Sequence, residues 1–323
     1  MGTITAQRIP KPEMTDISQS SSQVSDPPFG DYIQPFQIED LGLHGRLVRL
    51  GTALDQAFER HGYPVEISNL LGETMALATV LSGAIKYEGV FTLQVQGNGP
   101  VSPLMADLTS DGNLRGYVRF DEDRLAEALK RDGAMVPKLL GAGHMAFTVD
   151  QGPDTERYQG IVELEGGRLM ECAQNYFQQS EQLETALVVA ADTSDPVASR
   201  SAALMIQRLP AGTEGSYTRD EEDEVWRRAV VLMSSITPDE LLDPDLSASG
   251  LLYRLYHEDG VRIYTAKPVR HACRCSEQKV KRTLASFPKD EIADMADDGM
   301  VSVVCEFCKA EYVFPIGTTL DVT

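Results

Sequence analysis

The chain has five cysteines, and four of them fall into two close pairs near its end. In "HACRCSEQ" Cys273 and Cys275 are one residue apart, and in "VVCEFCKA" Cys305 and Cys308 are two apart. Along an extended strand, residues i and i+2 face the same side, so the first pair can present both sulfurs to one point. The second pair lies between two apolar, β-rich runs, the setting of a zinc knuckle whose turn aims both sulfurs inward. Four thiolates at about 2.3 Å from a tetrahedral Zn²⁺ make a closed site of the structural kind. The spacing therefore predicts Cys273, Cys275, Cys305 and Cys308 as zinc ligands.

Other elements must bring the pairs together. Residues 276–304 have room for two short helices, and "MVSVVCEFCKAEYVF" reads as a hairpin. The terminal segment, residues 258–323, is too small to build much of a core, so metal binding is expected to supply much of its folding free energy. Before it, residues 213–257 read as a helical connector without a core of its own. Thr218 with Glu221 is a capping-box signature for "EVWRRAVVLMSSI". Thr237, Pro238 and Glu240 mark a second start at "TPDELLDP". "ASGLLYRLYHEDG" gives a third helix, with Leu251, Leu252, Leu255 and Tyr256 on its apolar side. The acidic run at 220–224 reads as a solvated helix start that complements the helix dipole.

Residues 37–212 read as an α+β domain. "LVRLGTALDQAFERHG" has Leu47, Leu50, Leu54 and Phe58 at helical spacing, and "LLGETMALATVLSGAI" (70–85) reads as a buried helix too short and too interrupted, at Glu73, to span a bilayer. "VFTLQVQGNGP", "LRGYVRF", "HMAFTVDQ", "RYQGIVELEGG", "TALVVAAD" and "SAALMIQRL" read as strands, and "RLMECAQNYFQQSEQ" as a helix. Residues 1–36, with five prolines and a serine-rich run, are expected to form a disordered extension. The fold class is α+β: a large N-terminal sheet-and-helix domain, a helical connector and a small C-terminal zinc-binding domain.

A net charge of −20 repels phosphate backbones, which argues against a zinc-ribbon nucleic-acid binder, and no membrane partner is expected. No basic segment followed by an apolar run opens the chain, so a cytoplasmic location is expected. Thiols stay reduced there, and paired cysteines then denote metal or redox chemistry. "QGNGP" lacks the lysine of a phosphate loop and is better read as a strand-ending turn, so no nucleotide is expected. "CEFC" lacks a βαβ context, which weakens the alternative of a thiol oxidoreductase. With no Ser/His/Asp set or HExxH pattern standing out, the chain reads as a binding protein and not an enzyme. Cys172 sits in an apolar helical pattern and reads as a small buried hydrophobe. His271 reads as a histidine beside the site, since four sulfurs already fill a tetrahedron.

Each cysteine pair is close enough to close its own disulfide, so oxidation can remove all four ligands together, unfold the terminal segment and loosen the connector. The sequence resembles the redox-regulated heat-shock chaperones of bacteria, the thirty-three-kilodalton chaperonin family, from about Gln37 to Phe314. The resemblance is carried by "LGETMALATVLSGAIKYEGVFTLQVQGNGP", "ERYQGIVELEGG", "NYFQQSEQL", "LLYRLYHEDGV" and the C-x-C…C-x-x-C spacing. It implies an ATP-independent holdase, inactive when reduced and zinc-bound. It implies Cys273–Cys275 and Cys305–Cys308 disulfides in an active, homodimeric form, whose unfolded connector helps capture unfolding client proteins. The connector's apolar residues, including Val225, Trp226, Val230, Leu232, Leu251 and Leu255, would offer non-directional attraction to such clients.

Overall fold

A computed structural model describes residues 29–152, 155, 157–181, 183–208 and 219–316. Leu47, Val48, Arg49 and Leu50 are all fully buried, the pattern of a strand covered on both faces. They close β2 (Leu43–Leu50), which pairs antiparallel with β1 (Tyr32–Ile38). Two sequence expectations give way here. The helix read from Leu47 begins only at Thr52, as α1 (Thr52–Phe58). A doubly covered strand has apolar residues at both parities, so Leu47 and Leu50 fall into helical spacing with Leu54 by coincidence. The extension read as disordered through residue 36 is ordered in its last part: Tyr32, Ile33 and Phe36 are buried, and the Asp31 carboxylate accepts from the Gly51 amide at 2.8 Å and the Ala53 amide at 3.1 Å. Pro35 is tolerated because its missing N–H faces away from β2; its carbonyl accepts from the Tyr264 amide at 3.0 Å on that side. The remainder of the extension, residues 1–28, lies outside the described residues.

The body is two sheets with one helix between them. Helix α2 (Val65–Ser82) is buried nearly all round, from Ile67 to Ser82, as its unbroken apolar and small-residue composition demands. Against one side of α2 lies a sheet of β3 (Val90–Gly97), β4 (Val101–Thr109), β5 (Asn113–Phe120), β6 (Gly143–Asp150) and β7 (Tyr158–Glu163), ordered β5-β4-β3-β6-β7. Strand β4 was not legible in the sequence: Pro103 sits where its register against β5 shifts, between Val101 and Leu104, so no alternating run announces it. Helix α3 (Glu122–Leu129) follows β5, capped by the Asp121 carboxylate. Helix α4 (Leu169–Tyr176) continues as a π turn, Phe177–Glu181. Cys172 of α4 is fully buried, and burial pushes its thiol up to about 11. Glu73, halfway along α2, is ion-paired with Arg168 at 2.9 Å, although burial raises its carboxyl.

The other sheet carries β1 and β2 with β8 (Thr185–Asp192) and β9 (Arg200–Arg208), ordered β1-β2-β9-β8. Along β9, Ala203 and Met205 join the core around α2, while Ala202, Leu204 and Ile206 face the opposite way. That second face is covered by the connector: α5 (Arg219–Met233), α6 (Pro238–Leu242) and α7 (Ala248–Tyr256). Ala229, Met233, Leu241, Leu251, Leu252, Leu255 and Tyr256 are buried there with Phe36, Leu43, Leu47 and Leu204. The connector has no core of its own because the sheet supplies it. At the expected helix start, Thr237 and Glu240 form a capping box, with bonds of 3.2 and 3.0 Å, whereas Thr218 of the capping box expected for α5 lies outside the described residues.

From α7 the chain runs as a strap along both sheets. β10 (Val261–Ile263) and β11 (Lys267–Pro268) pair with β1, and β12 (Arg270–His271) pairs in parallel with β5. Residues 261–271, which the sequence assigns to the terminal segment, are thus edge strands of the body. The remaining unit holds α8 (Glu277–Leu284), α9 (Lys289–Asp294) and the hairpin β13 (Met300–Val304) and β14 (Glu311–Pro315). Its buried core is Leu284, Ile292, Val301 and Phe314. Among the described residues, no helix is long and apolar enough to cross a membrane.

Candidate metal centre

The first cysteine pair sits just beyond β12, where the Ala272 amide donates to the Leu114 carbonyl at 3.0 Å. Immediately after Cys275, the Ser276 hydroxyl caps α8 by accepting from the Lys279 amide at 3.3 Å. The second pair occupies the turn of the terminal hairpin. There the Cys305 amide donates to Ala310 at 2.9 Å and the Lys309 amide to Cys305 at 2.8 Å. Lys309 closes this turn at φ 55°, in the left-handed region that side chains other than glycine seldom adopt.

These two local structures bring Cys273, Cys275, Cys305 and Cys308 together, with all four sulfurs within 4.8 Å of one another. The Cys273 and Cys305 sulfurs are 3.7 Å apart, and those of Cys275 and Cys308 are 3.4 Å apart. A tetrahedron of sulfurs with 2.3 Å bonds to zinc has edges of about 3.8 Å. A disulfide would need about 2.05 Å, and all five cysteines are free thiols. The donor set and its spacing therefore fit a soft, four-coordinate dication. His271 is not part of the group; it lies half-buried on β12.

Electrostatics point the same way. Burial resists ionisation of Cys273, but the Cys275 amide and the thiols of Cys275, Cys308 and Cys305 donate to its sulfur and hold it down, to about 7. Burial raises Cys305 and Cys308, and the hydrogen bonds to neighbouring sulfurs raise them further. The Cys273 thiolate forms readily while Cys305 and Cys308 resist, a conflict that a dication at the centre removes. Two groups outside the cluster touch it: the Tyr312 hydroxyl donates to the Cys275 sulfur at 3.1 Å, and Arg115 Nη1 approaches the Cys273 sulfur at 3.9 Å.

The Hsp33 protein family model matches residues 31–315. A 33 kDa chaperonin of Caulobacter vibrioides is 41% identical over 306 residues, covering 93% of this chain and 98% of that protein. The chain belongs to the Hsp33 family. A 33 kDa chaperonin of Pseudomonas fluorescens is 35% identical over 294 residues, covering 90% of this chain and 93% of its own length. The crystal structure of a 33 kDa chaperonin, a heat shock protein 33 homolog from Thermotoga maritima, shares the fold with a TM-score of 0.73 at 22% identity, covering 88% of this chain and 95% of that one. The Hsp33 match takes in both sheets, the connector and the cysteine unit together, so the cysteines belong to this architecture and do not form a detached ribbon.

The six connector residues named from the sequence are all at least half-covered in this fold. Leu251 and Leu255 are 0% and 4% exposed, Trp226, Val230 and Leu232 pack on the same apolar cluster, and Val225 is half-buried. The residues that touch the cysteine unit from the body, Asp107, Arg115, Tyr117 and His61, were missed. They lie on β4, on β5 and after α1, and only Asp107 left a trace, as a carboxylate inside an otherwise apolar strand.

Proposed function

We propose that this Hsp33-family chaperone is a redox-regulated, ATP-independent holdase of the cytoplasm, a binding protein rather than an enzyme. It is silent when its thiols are reduced and bind zinc, and it is active when they are oxidised. The observation that carries the proposal is the combination of four free sulfurs at near-tetrahedral spacing with an apolar sheet face whose cover, among the described residues, comes mainly from α5, α6 and α7. Cys273, Cys275, Cys305 and Cys308 would hold the metal, which supplies the folding free energy that a core of four buried residues lacks.

Activation follows from sulfur chemistry. A thiolate attacks peroxide to give a sulfenic acid and hydroxide, and the second thiolate of the pair displaces a further hydroxide to form the disulfide. Each of Cys273–Cys275 and Cys305–Cys308 gives up two electrons to one peroxide, and the four sulfurs that would hold zinc are no longer available as ligands. The unit then loses its main support, the strap loosens, and the connector comes off the sheet. The uncovered surface comprises Val225, Trp226, Val230, Leu232, Leu251 and Leu255 from the connector, and with them Phe36, Leu43, Leu47 and Leu204 of the sheet. Apolar surface of this extent binds unfolded chains without sequence preference, and the active form pairs into a homodimer.

The test compares reduced and peroxide-treated protein side by side against a thermally denaturing client, without nucleotide. Oxidised protein is expected to release about one zinc per chain and suppress light scattering, and reduced protein to do neither. Equal suppression in both states would leave only a constitutive chaperone, and retention of metal after oxidation would remove the switch.

A further inference from the structure

The spacing of the cysteines leaves Arg274 inside the first pair and Glu306 and Phe307 inside the second. Arg274 and Phe307 reach the same patch of the body. Arg274 lies 2.8 Å from the Asp107 carboxylate. The Phe307 ring has the Arg115 guanidinium over it at 3.8 Å and the Tyr117 ring at 5.7 Å. Asp107 and Arg115 stand opposite each other on β4 and β5, and Arg115 Nε donates to both carboxylate oxygens at 3.0 Å. The Asp107 side chain is only 4% exposed, so one buried carboxylate is shared by an arginine of the body and an arginine of the cysteine unit. His61 adds a contact from Nε2 to the Phe307 carbonyl at 3.1 Å. A buried charge cluster adds little stability over an apolar packing of the same volume, so its position under both cysteine pairs calls for another explanation.

We infer that Asp107, Arg115 and Tyr117 form a docking site for Arg274 and Phe307, one residue from inside each cysteine pair, through which the state of the sulfurs is communicated to the body; this rests on the redox function proposed above. With four sulfurs around one centre, Arg274 and Phe307 are presented together. Closing each pair as a disulfide draws its sulfurs from about 3.8 Å to about 2.05 Å and reshapes the loop that carries the docking residue. Both plugs then leave, β12 is next along the chain, and the strap leads back to α7. The coupling is reciprocal: docking that is favoured by metal must itself favour metal.

The experiment uses the full, reduced, zinc-loaded chain and no oxidant. Metal transfer to an excess of a chromogenic chelator is timed, and hydrogen exchange is followed over residues 261–271. Phe307→Leu keeps an apolar side chain but removes the π face, and it is expected to speed metal loss about tenfold, the worth of one partly desolvated cation–π contact. Strap exchange should rise with it. Phe307→Trp should stay near the parent, and Arg115→Ala should behave as Phe307→Leu, with the double variant no worse than the poorer single one. Parent rates in Phe307→Leu, or additive effects in the double variant, would overturn the docking site. Should Phe307→Leu fail to load zinc, Arg115→Ala decides alone, because its side chain belongs to the body; parent behaviour there is equally fatal. Failure of the redox function would show separately, as zinc retained by the parent chain under peroxide.

Discussion

Leu252 is fully buried in α7, in the cluster that joins the connector to the sheet face. Truncating it to alanine removes a side chain whose loss costs about 2–5 kcal/mol in well-packed sites. The sheet beneath is held from its far side by α2 and cannot sink to fill the cavity, so about 3 kcal/mol is a fair central value. The body has its own core around α2, so the cost falls on connector docking and not on the fold as a whole. An opening constant should therefore rise about 150-fold, at tenfold per 1.4 kcal/mol. Hydrogen exchange of Leu252→Ala in the reduced, zinc-loaded state should be faster by about this factor in α5 and α7 and unchanged in α2. Trp226, the single tryptophan, should report the same event as red-shifted fluorescence. The variant should keep its zinc and protect a client partially without any oxidant. The reasoning is refuted if α2 loses protection as much as α7, since connector and body would then be one cooperative unit. It is refuted equally if the connector opens and no client protection appears.

Removing zinc from reduced protein with a chelator should melt β13 and β14 while leaving α2 intact, because four buried residues do not sustain the unit; amide NMR signals of the hairpin that persist without metal would contradict this. Cys305→Ser should lower zinc affinity and uncouple client protection from oxidant, checked by metal titration and light scattering. Thr237→Ala breaks a capping box and should cost about 1 kcal/mol, seen as roughly fivefold faster exchange confined to the connector. Cys172→Ala should leave redox regulation untouched, since that thiol is buried and bonded to the Glu165 carbonyl at 3.3 Å; altered oxidant dependence in the scattering assay would give it a role.

The site was legible because sulfur is scarce in this chain and its spacing alone matches one coordination geometry. Strands with polar residues on one face, such as Val90–Gly97, announced themselves by alternation. Where both faces are covered, as at Leu47–Leu50, alternation vanishes and helical spacing arises by chance. β4 was hidden by Pro103, and β1 by Pro35, because each proline occupies an irregular or outward-facing position that sequence does not disclose. The strap was hidden for another reason. Two- and three-residue edge strands draw their order from β1 and β5, which lie far away in the chain. Likewise, Arg115 carries no local sign, and Asp107 only its charge within an apolar run, and neither discloses a partner more than 150 residues away.

The four strands β1, β2, β8 and β9 are complete at Arg208, whereas the helices that cap them end at Tyr256. Ribosomes add about 5–20 residues per second, so the intervening stretch of about 50 residues takes roughly 3–10 s to make. For that interval every newborn copy has its connector face uncovered, the face that the proposed switch would expose again. On the function proposed above, the part made after its sheet is the part that would open, and each molecule would pass through an adhesive infancy before metal could silence it.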